Sequence, residues 1–383
     1  MFDVKNAYLA FLASRAKKHT LNKRVCYLLS FADNDGGAID ALQQQYGTDF
    51  LLAYTPQMTE VAKSYAAKGV VITPFSPRAF CMERSWRQIA SCQIIIADNY
   101  YPELAALSQP QRKIIQIWHA TGALKAFGWQ DPKTKKRSQA DQVRFQKVYG
   151  SLTDIVVGSQ AMGKVFEAAY HIDPARVRYL GAPRTDVLQP TALAITVLTA
   201  EPTTVLYVPT YRDSLEEMRT VLTSAFRAFQ NSDMQVLVKL HPHLARQLSD
   251  VKTPTNVRLV TGNLLALFDQ SEYLVTDYSS CVFDFMLRRP GQGICLYCPD
   301  LEHYADTTGL QPDFKVDWQP WLAQSSEELA VKLQAASQPN NEKTETLLLQ
   351  QQALSQKWQE YNTGQAVEGL LALVDRYLQT ENS

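Results

Sequence analysis

The stretch Tyr273–Pro290, YLVTDYSSCVFDFMLRRP, reads as a strand that turns directly into a helix. Tyr273-Leu-Val-Thr276 is short, apolar and β-branched, which predicts a buried strand. Asp277 and Tyr278 leave it, and Ser279 and Ser280 stand where a helix should begin. Val282, Phe283, Phe285, Met286 and Leu287 recur at helical spacing, Arg288 and Arg289 fill the last turn, and Pro290 closes it. A strand feeding a helix through two hydroxyls gathers backbone N–H groups and the positive end of a helix dipole at one point, a ready cradle for phosphate. The alternative is an ordinary helix cap with nothing bound. How the other strands end decides between the two.

Outward from that unit, strand and helix alternate along most of the chain. Arg24–Phe31, Phe50–Tyr54, Val70–Thr73, Cys92–Ala97, Lys113–Trp118, Asp154–Val157 and Val177–Leu180 read as strands, with helix-like runs such as Gly37–Tyr46, Thr59–Ala67 and Ala161–Ala169 between them. Near-continuous apolar strands separated by helices imply parallel sheets covered on both faces. The period breaks around Pro190–Pro202 and restarts with strands at Thr204–Val208, Met234–Leu240, Val257–Val260, Tyr273–Thr276 and Gly293–Tyr297. The fold class expected is α/β, with two Rossmann-like, doubly wound parallel-sheet domains facing a cleft. Residues 1–190 form the first, 191–343 the second, and the tail, 344–383, supplies amphipathic helices that pack back across them. The G-x-G-x-x-G dinucleotide fingerprint is absent.

Composition narrows the function further. Lys+Arg and Asp+Glu both total 38 in 383 residues, so bulk charge offers no case for a nucleic-acid binder. The 6 cysteines show no metal or disulfide framework and read as buried thiols of a reducing compartment. No run reaches the ~20 apolar residues of a spanning helix, which suggests a cytoplasmic protein. Met1–His19 is amphipathic and basic, suited either to an anionic membrane surface or to docking on its own domain.

Polar clusters end strand after strand, and in open parallel sheets ligands bind beyond those ends. KIIQIW runs into His119-Ala-Thr121-Gly122-Ala-Leu-Lys125, and VRYL into Gly181-Ala-Pro-Arg184-Thr-Asp186. TVLYV runs into Pro209-Thr210-Tyr-Arg212-Asp213, and MQVLVKL into His241-Pro-His243. Arginine and lysine neutralise phosphate, and hydroxyls and backbone amides bind its oxygens directionally. Histidine moves a proton near neutral pH. Asp33-Asn-Asp35 has a D-x-D form, but DNDGG after a first strand reads as turn chemistry. No metal-ligand spacing is present, so a phosphorylated donor handled without a protein-bound metal or other cofactor fits best. The basic run Lys133–Arg137 reads as a solvated loop, or as a contact to anionic lipid.

These clusters resemble those of the CDP-glycerol glycerophosphotransferases of teichoic acid synthesis. The matching segments are Gln116–Lys125 with Phe127-Gly128, Gly181–Asp186, Pro209–Asp213, His241-Pro-His243, Thr276–Ser280 with Phe283-Asp284, and Asp300-Leu-Glu302-His-Tyr304. The resemblance implies a GT-B fold with the donor site mainly in the C-terminal domain. It implies His119 and His241 as catalytic residues, His119 being the base that activates the acceptor hydroxyl. Substrate contacts are expected of Thr121, Gly122, Lys125, Arg184, Thr210, Arg212, Lys239, His243, Asp277, Ser279, Ser280 and Asp284. The segment WHATGALK, where long polymerases read WHGTPLK, is similar to the primase subgroup. The implied reaction transfers glycerol phosphate from CDP-glycerol to a polyprenyl-diphosphate-linked disaccharide at the inner membrane face, releasing CMP. Polymerase or ribitol-phosphate transferase activity, a nucleotide-sugar glycosyltransferase on the same architecture, and a non-catalytic binder of nucleotide or anionic polymer are the alternatives.

Overall fold

The computed structural model describes residues 3–190, 203–212, 214–240, 244, 247, 248, 250–336 and 342–379. The chain divides into two compact units, Met1–Thr121 with Gly128–Val187 and Gln359–Ser383, and Gly122–Phe127 with Leu188–Trp358.

In the first unit the apolar runs become β1 (Asn22–Leu29), β2 (Phe50–Tyr54), β3 (Val71–Pro74), β4 (Cys92–Ala97), β5 (Lys113–Gln116), β6 (Asp154–Val157) and β7 (Val177–Tyr179). They pair in the order β3-β2-β1-β4-β5-β6-β7, all parallel. In β1, Val25 lies opposite Phe50 of β2 and Ile94 of β4, a register that seats β-branched and aromatic side chains in one layer. Val25, Tyr27, Leu29, Ile94, Ile96 and Ile115 fill the core with Ile39 and Leu42 of the helix Ala38–Tyr46. The helix Ala366–Gln379 closes the same core through Leu370, Leu373 and Val374.

The second unit repeats the plan with β8 (Thr204–Tyr207), β9 (Gln235–Val238), β10 (Val257–Leu259), β11 (Tyr273–Thr276), β12 (Gly293–Tyr297) and β13 (Leu322–Ala323). Their order is β10-β9-β8-β11-β12-β13, again parallel. Val205, Tyr207, Val236, Val238, Val275 and Cys295 meet Met218, Leu222, Phe226 and Phe229 of the helix Leu215–Phe229. The helix Glu342–Gln359 joins this unit, where Gln351 donates from Nε2 to the Gln292 carbonyl at 2.7 Å. The tail helices therefore divide between the units.

The cysteines are unpaired thiols, but Cys81, at the end of the short helix Pro77–Cys81, is exposed. The helix Gln139–Ser151 escaped the apolar pattern because its inward face includes Arg144, which pairs with Asp3, Asp141 and Asn6. The N-terminal helix Val4–Ala16 docks on its own unit through Leu12 and Ala16, with Trp86 Nε1 donating to the Leu12 carbonyl at 3.1 Å. Val4 and Phe11 stay outside that contact, 72% and 49% exposed.

Candidate active site

Both sheets reverse strand order at one place, between β1 and β4 and between β8 and β11. Such a switch point leaves a crevice at the carboxyl ends of the strands, because the connections on its two sides run in opposite directions. Asp98, Thr210 and Asp277 follow strands that flank these points, and His119 follows β5, one strand further along the first sheet.

In the first unit Asp98 follows β4 and is fully buried. Its carboxylate accepts from Ser30 N at 2.7 Å, Phe31 N at 3.1 Å, Ser30 Oγ at 2.8 Å and Tyr101 Oη at 2.7 Å. Burial pushes its pKa up, and the four donors oppose that. The Asp98 main-chain carbonyl lies 3.2 Å from Nδ1 of His119. A carbonyl can only accept, so Nδ1 carries a proton and, in the neutral ring, Nε2 carries the lone pair. Phe31 stacks on the imidazole at 4.4 Å, and the Trp118 ring lies 4.2 Å from it.

The backbone before His119 is strained. Trp118 sits at φ 57°, where a bulky side chain is disfavoured. Its N–H donates to Gln116 Oε1 at 2.9 Å, and its carbonyl accepts from Asn34 Nδ2 at 2.8 Å. Arg184 Nη1 donates to the His119 carbonyl at 2.6 Å and to Asn34 Oδ1 at 3.2 Å. The DNDGG loop is thus turn chemistry that also grips the histidine. Gly36, at φ +59°, lies so close to the Arg184 loop that a Cβ would sit 1.9 Å from the Pro183 oxygen.

In the second unit Asp277, fully buried after β11, accepts Thr210 N–H on both oxygens, at 2.9 and 3.1 Å. Arg212 is 3% exposed and ion-paired to Asp277 at 2.9 Å and Asp300 at 2.7 Å. Burial opposes its charge, and the two carboxylates outweigh that and hold its pKa above the ordinary value. Its guanidinium carbon lies 5.1 Å from the Tyr278 ring centre and 5.2 Å from that of Tyr304, two rings stacked at 3.7 Å. Arg212 and Asp277, expected to touch substrate, are employed on each other here. The Thr210 hydroxyl is buried and has no hydrogen-bond partner among the described residues.

Lys125 belongs to Gly122–Phe127, which is built into the second unit through an isolated bridge to Leu310. Burial lowers its pKa, and the nearby Asp277 charge opposes that. Gly122 lies against Phe283, whose ring a Cβ would meet at 2.6 Å. Ser279 and Ser280, both half-buried, precede the helix Cys281–Arg288, and Ser279 Oγ accepts from Cys281 N at 3.3 Å. Asp284, 3% exposed, sits in that helix's first turn. Burial pushes the Cys281 thiol up to about 11, which removes it as a nucleophile near neutrality. Lys239 donates to the Gly262 carbonyl at 2.6 Å, and Thr121 of the first unit is buried. His241 and His243 lie outside the described residues. Among the described residues no group of histidine, cysteine and carboxylate side chains could hold a metal ion.

Sequence reasoning missed Asp98, Phe31 and Asn34. Asp98 carried the same signal as the clusters that were found, a polar residue at the end of an apolar strand. Phe31 and Asn34 carried none, because their role exists only once three strand ends converge.

The family model for CDP-glycerol:poly(glycerophosphate) glycerophosphotransferases matches residues 18–375. The chain belongs to this family. Within it, the chain is 28% identical to the teichoic acid glycerol-phosphate primase of Bacillus subtilis over 97% of this chain and 98% of that one. It is 31% identical to the glycerol-phosphate primase of Bacillus spizizenii, covering 76% and 78%. The wall teichoic acid polymerase TagF superposes with a TM-score of 0.69 at 17% identity, over 99% of this chain and 95% of that one. A UDP-N-acetylglucosamine 2-epimerase of Listeria monocytogenes, covering 94% and 97%, gives 0.59 at 13% identity. Two parallel-sheet α/β domains of the GT-B type account for both likenesses.

Proposed function

We propose that the chain is a primase that moves one glycerol phosphate from CDP-glycerol to a hydroxyl of a polyprenyl-diphosphate-linked disaccharide. The observation that carries this reading is the near end-to-end match to a glycerol-phosphate primase. In the proposed reaction His119 Nε2 takes the proton of the acceptor hydroxyl as its oxygen attacks the phosphorus that bears glycerol. The bridging P–O bond breaks and CMP leaves. Phosphoryl-type transfers ask a protein chiefly for positioning and charge stabilisation.

The second unit supports the donor role. Lys125 is a half-buried cation whose ammonium makes no hydrogen bond among the described residues, and the Thr210 hydroxyl is similarly uncommitted. With Ser279, Ser280, Asp284, Lys239 and the helix N-terminus they are proposed to hold the diphosphate and glycerol. Arg212 and Asp277 are proposed to act indirectly by fixing Thr210. Arg184 fixes the carbonyl of His119, while Thr121 and Gly122 shape the segment between base and lysine. His241 is proposed on the leaving phosphate, with His243 as a further substrate contact.

A lipid-linked acceptor requires the enzyme to work at a membrane surface, proposed to be the inner face. No helix among the described residues is long and apolar enough to cross a membrane. Val4 and Phe11 share the outer face of the N-terminal helix, with Lys5, Lys17 and Lys18 exposed on the same segment. Apolar anchors in a basic field suit peripheral docking on anionic lipid.

Nucleotide product analysis with a soluble acceptor analogue tests the reading. CDP-glycerol should yield CMP and a product heavier by one glycerol phosphate. Turnover of CDP-ribitol in its place would assign the donor to the ribitol series. Release of a nucleoside diphosphate from a nucleotide sugar would replace the proposal with glycosyl transfer.

A further inference from the structure

We propose that Asp98 is a positioning residue of the transfer reaction, acting through His119. The inference rests on the reading of His119 as the base. The two units contain the same device. In each, an aspartate directly after the strand beyond the switch point accepts backbone N–H groups from the loop after the strand before it. Asp277 does this for Thr210, and Asp98 does it for Ser30 and Phe31. In the second unit the device orders a proposed donor contact. In the first it orders the ring of the base on two sides.

The carboxylate of Asp98 pins the Ser30-Phe31 backbone, and the Phe31 ring lies on the face of the imidazole at 4.4 Å. The main-chain carbonyl of the same residue takes Nδ1, at 3.2 Å. One buried residue therefore meets the ring at Nδ1 directly and, through Phe31, at one face, while the Trp118 ring lies 4.2 Å from it. Phe31 would not hold that place unaided, because it is 37% exposed and is anchored by its backbone, not by burial of its ring. Full burial of a carboxylate is unfavourable, and four converging donors at the lip of a functional crevice are what a fixed loop needs.

The test is kinetic, on the full chain with CDP-glycerol and a soluble acceptor analogue, with D98N, F31L, H119A and the doubles D98N/H119A and F31L/H119A. D98N keeps the shape of the side chain but offers an amide N–H where an acceptor is needed. It should lower kcat by about 10- to 100-fold, the scale of a misplaced catalytic group. KM for CDP-glycerol should stay within about twofold, because that interaction is not made by Asp98. F31L leaves the carboxylate network intact and should lower kcat by about 2- to 10-fold, the worth of one stacked pair. Neither change should cost residual turnover in the H119A background, since a residue that acts through the imidazole has nothing to act on once it is gone. Wild-type kcat in both singles, or the same fold loss with and without His119, would overturn the proposal. If D98N does not fold, F31L and its double decide alone. Wild-type turnover by H119A would instead remove the base assignment itself, whatever the other variants do.

Discussion

Lys125 and Arg212 are both cations of the motifs proposed to hold the donor, and their surroundings differ. Lys125 is half-buried and its ammonium makes no hydrogen bond among the described residues, whereas Arg212 is buried between two carboxylates and two aromatic rings. K125M should therefore raise KM for CDP-glycerol by about 10- to 100-fold, the worth of a charge-assisted hydrogen bond. Its melting temperature should stay near wild type. R212M should do the opposite, destabilising the second unit by about 3–5 kcal/mol by leaving Asp277 and Asp300 without their counterion. Chemical denaturation and steady-state kinetics on the two variants check the contrast. Because burial lowers the Lys125 pKa from the usual 10.5, its charge is lost earlier as pH rises. Affinity for CDP-glycerol, measured by calorimetry across alkaline pH, should then fall below pH 10.5 in wild type and lose that dependence in K125M. None of this contrast was legible in the residues. PTYRD and TDYSS showed an arginine and an aspartate at strand ends, but which of them meets a ligand depends on whether they meet each other.

At the scale of elements the reading went much further. The stretch from Tyr273 to Pro290 folds as a strand, Tyr273–Thr276, and a helix, Cys281–Arg288, with Ser280 at the cap between them. Apolar runs of β-branched residues mark buried parallel strands because both faces are covered, so the period is unbroken by solvent. Helices with a mixed inner face were less legible, as Gln139–Ser151 shows, since Arg144 is buried by its ion pairs and not by its hydrophobicity. The two-residue strand Leu322–Ala323 is too short to carry any period. Loop-to-loop contacts were invisible, and Gly36 is the sharpest instance. G36A must both leave φ +59° and move a Cβ out of the Pro183 oxygen. It should destabilise the first unit by about 1–3 kcal/mol and lower kcat more than it changes KM for the donor. Thermal melts paired with kinetics would show a purely structural effect if kcat at low temperature remained wild type.

For the whole molecule, the family and the paired parallel sheets were readable because five polar clusters kept their order along the chain. The side proposed to face the membrane was only half readable. The amphipathic pattern of the N-terminus marked a helix, yet Leu12 and Ala16 turn inward while Val4 and Phe11 remain outside. A V4E/F11E double variant should lose flotation with anionic vesicles while retaining turnover of a water-soluble acceptor. Unchanged flotation would place the membrane contact elsewhere. The central claim, a single transfer from CDP-glycerol, is tested most directly by counting CMP released per acceptor molecule with excess donor. Release that depends on acceptor and stops at about one equivalent is the result predicted for a transfer that consumes one hydroxyl and makes a poorer acceptor. Release continuing far beyond that, or proceeding equally without acceptor, would contradict it.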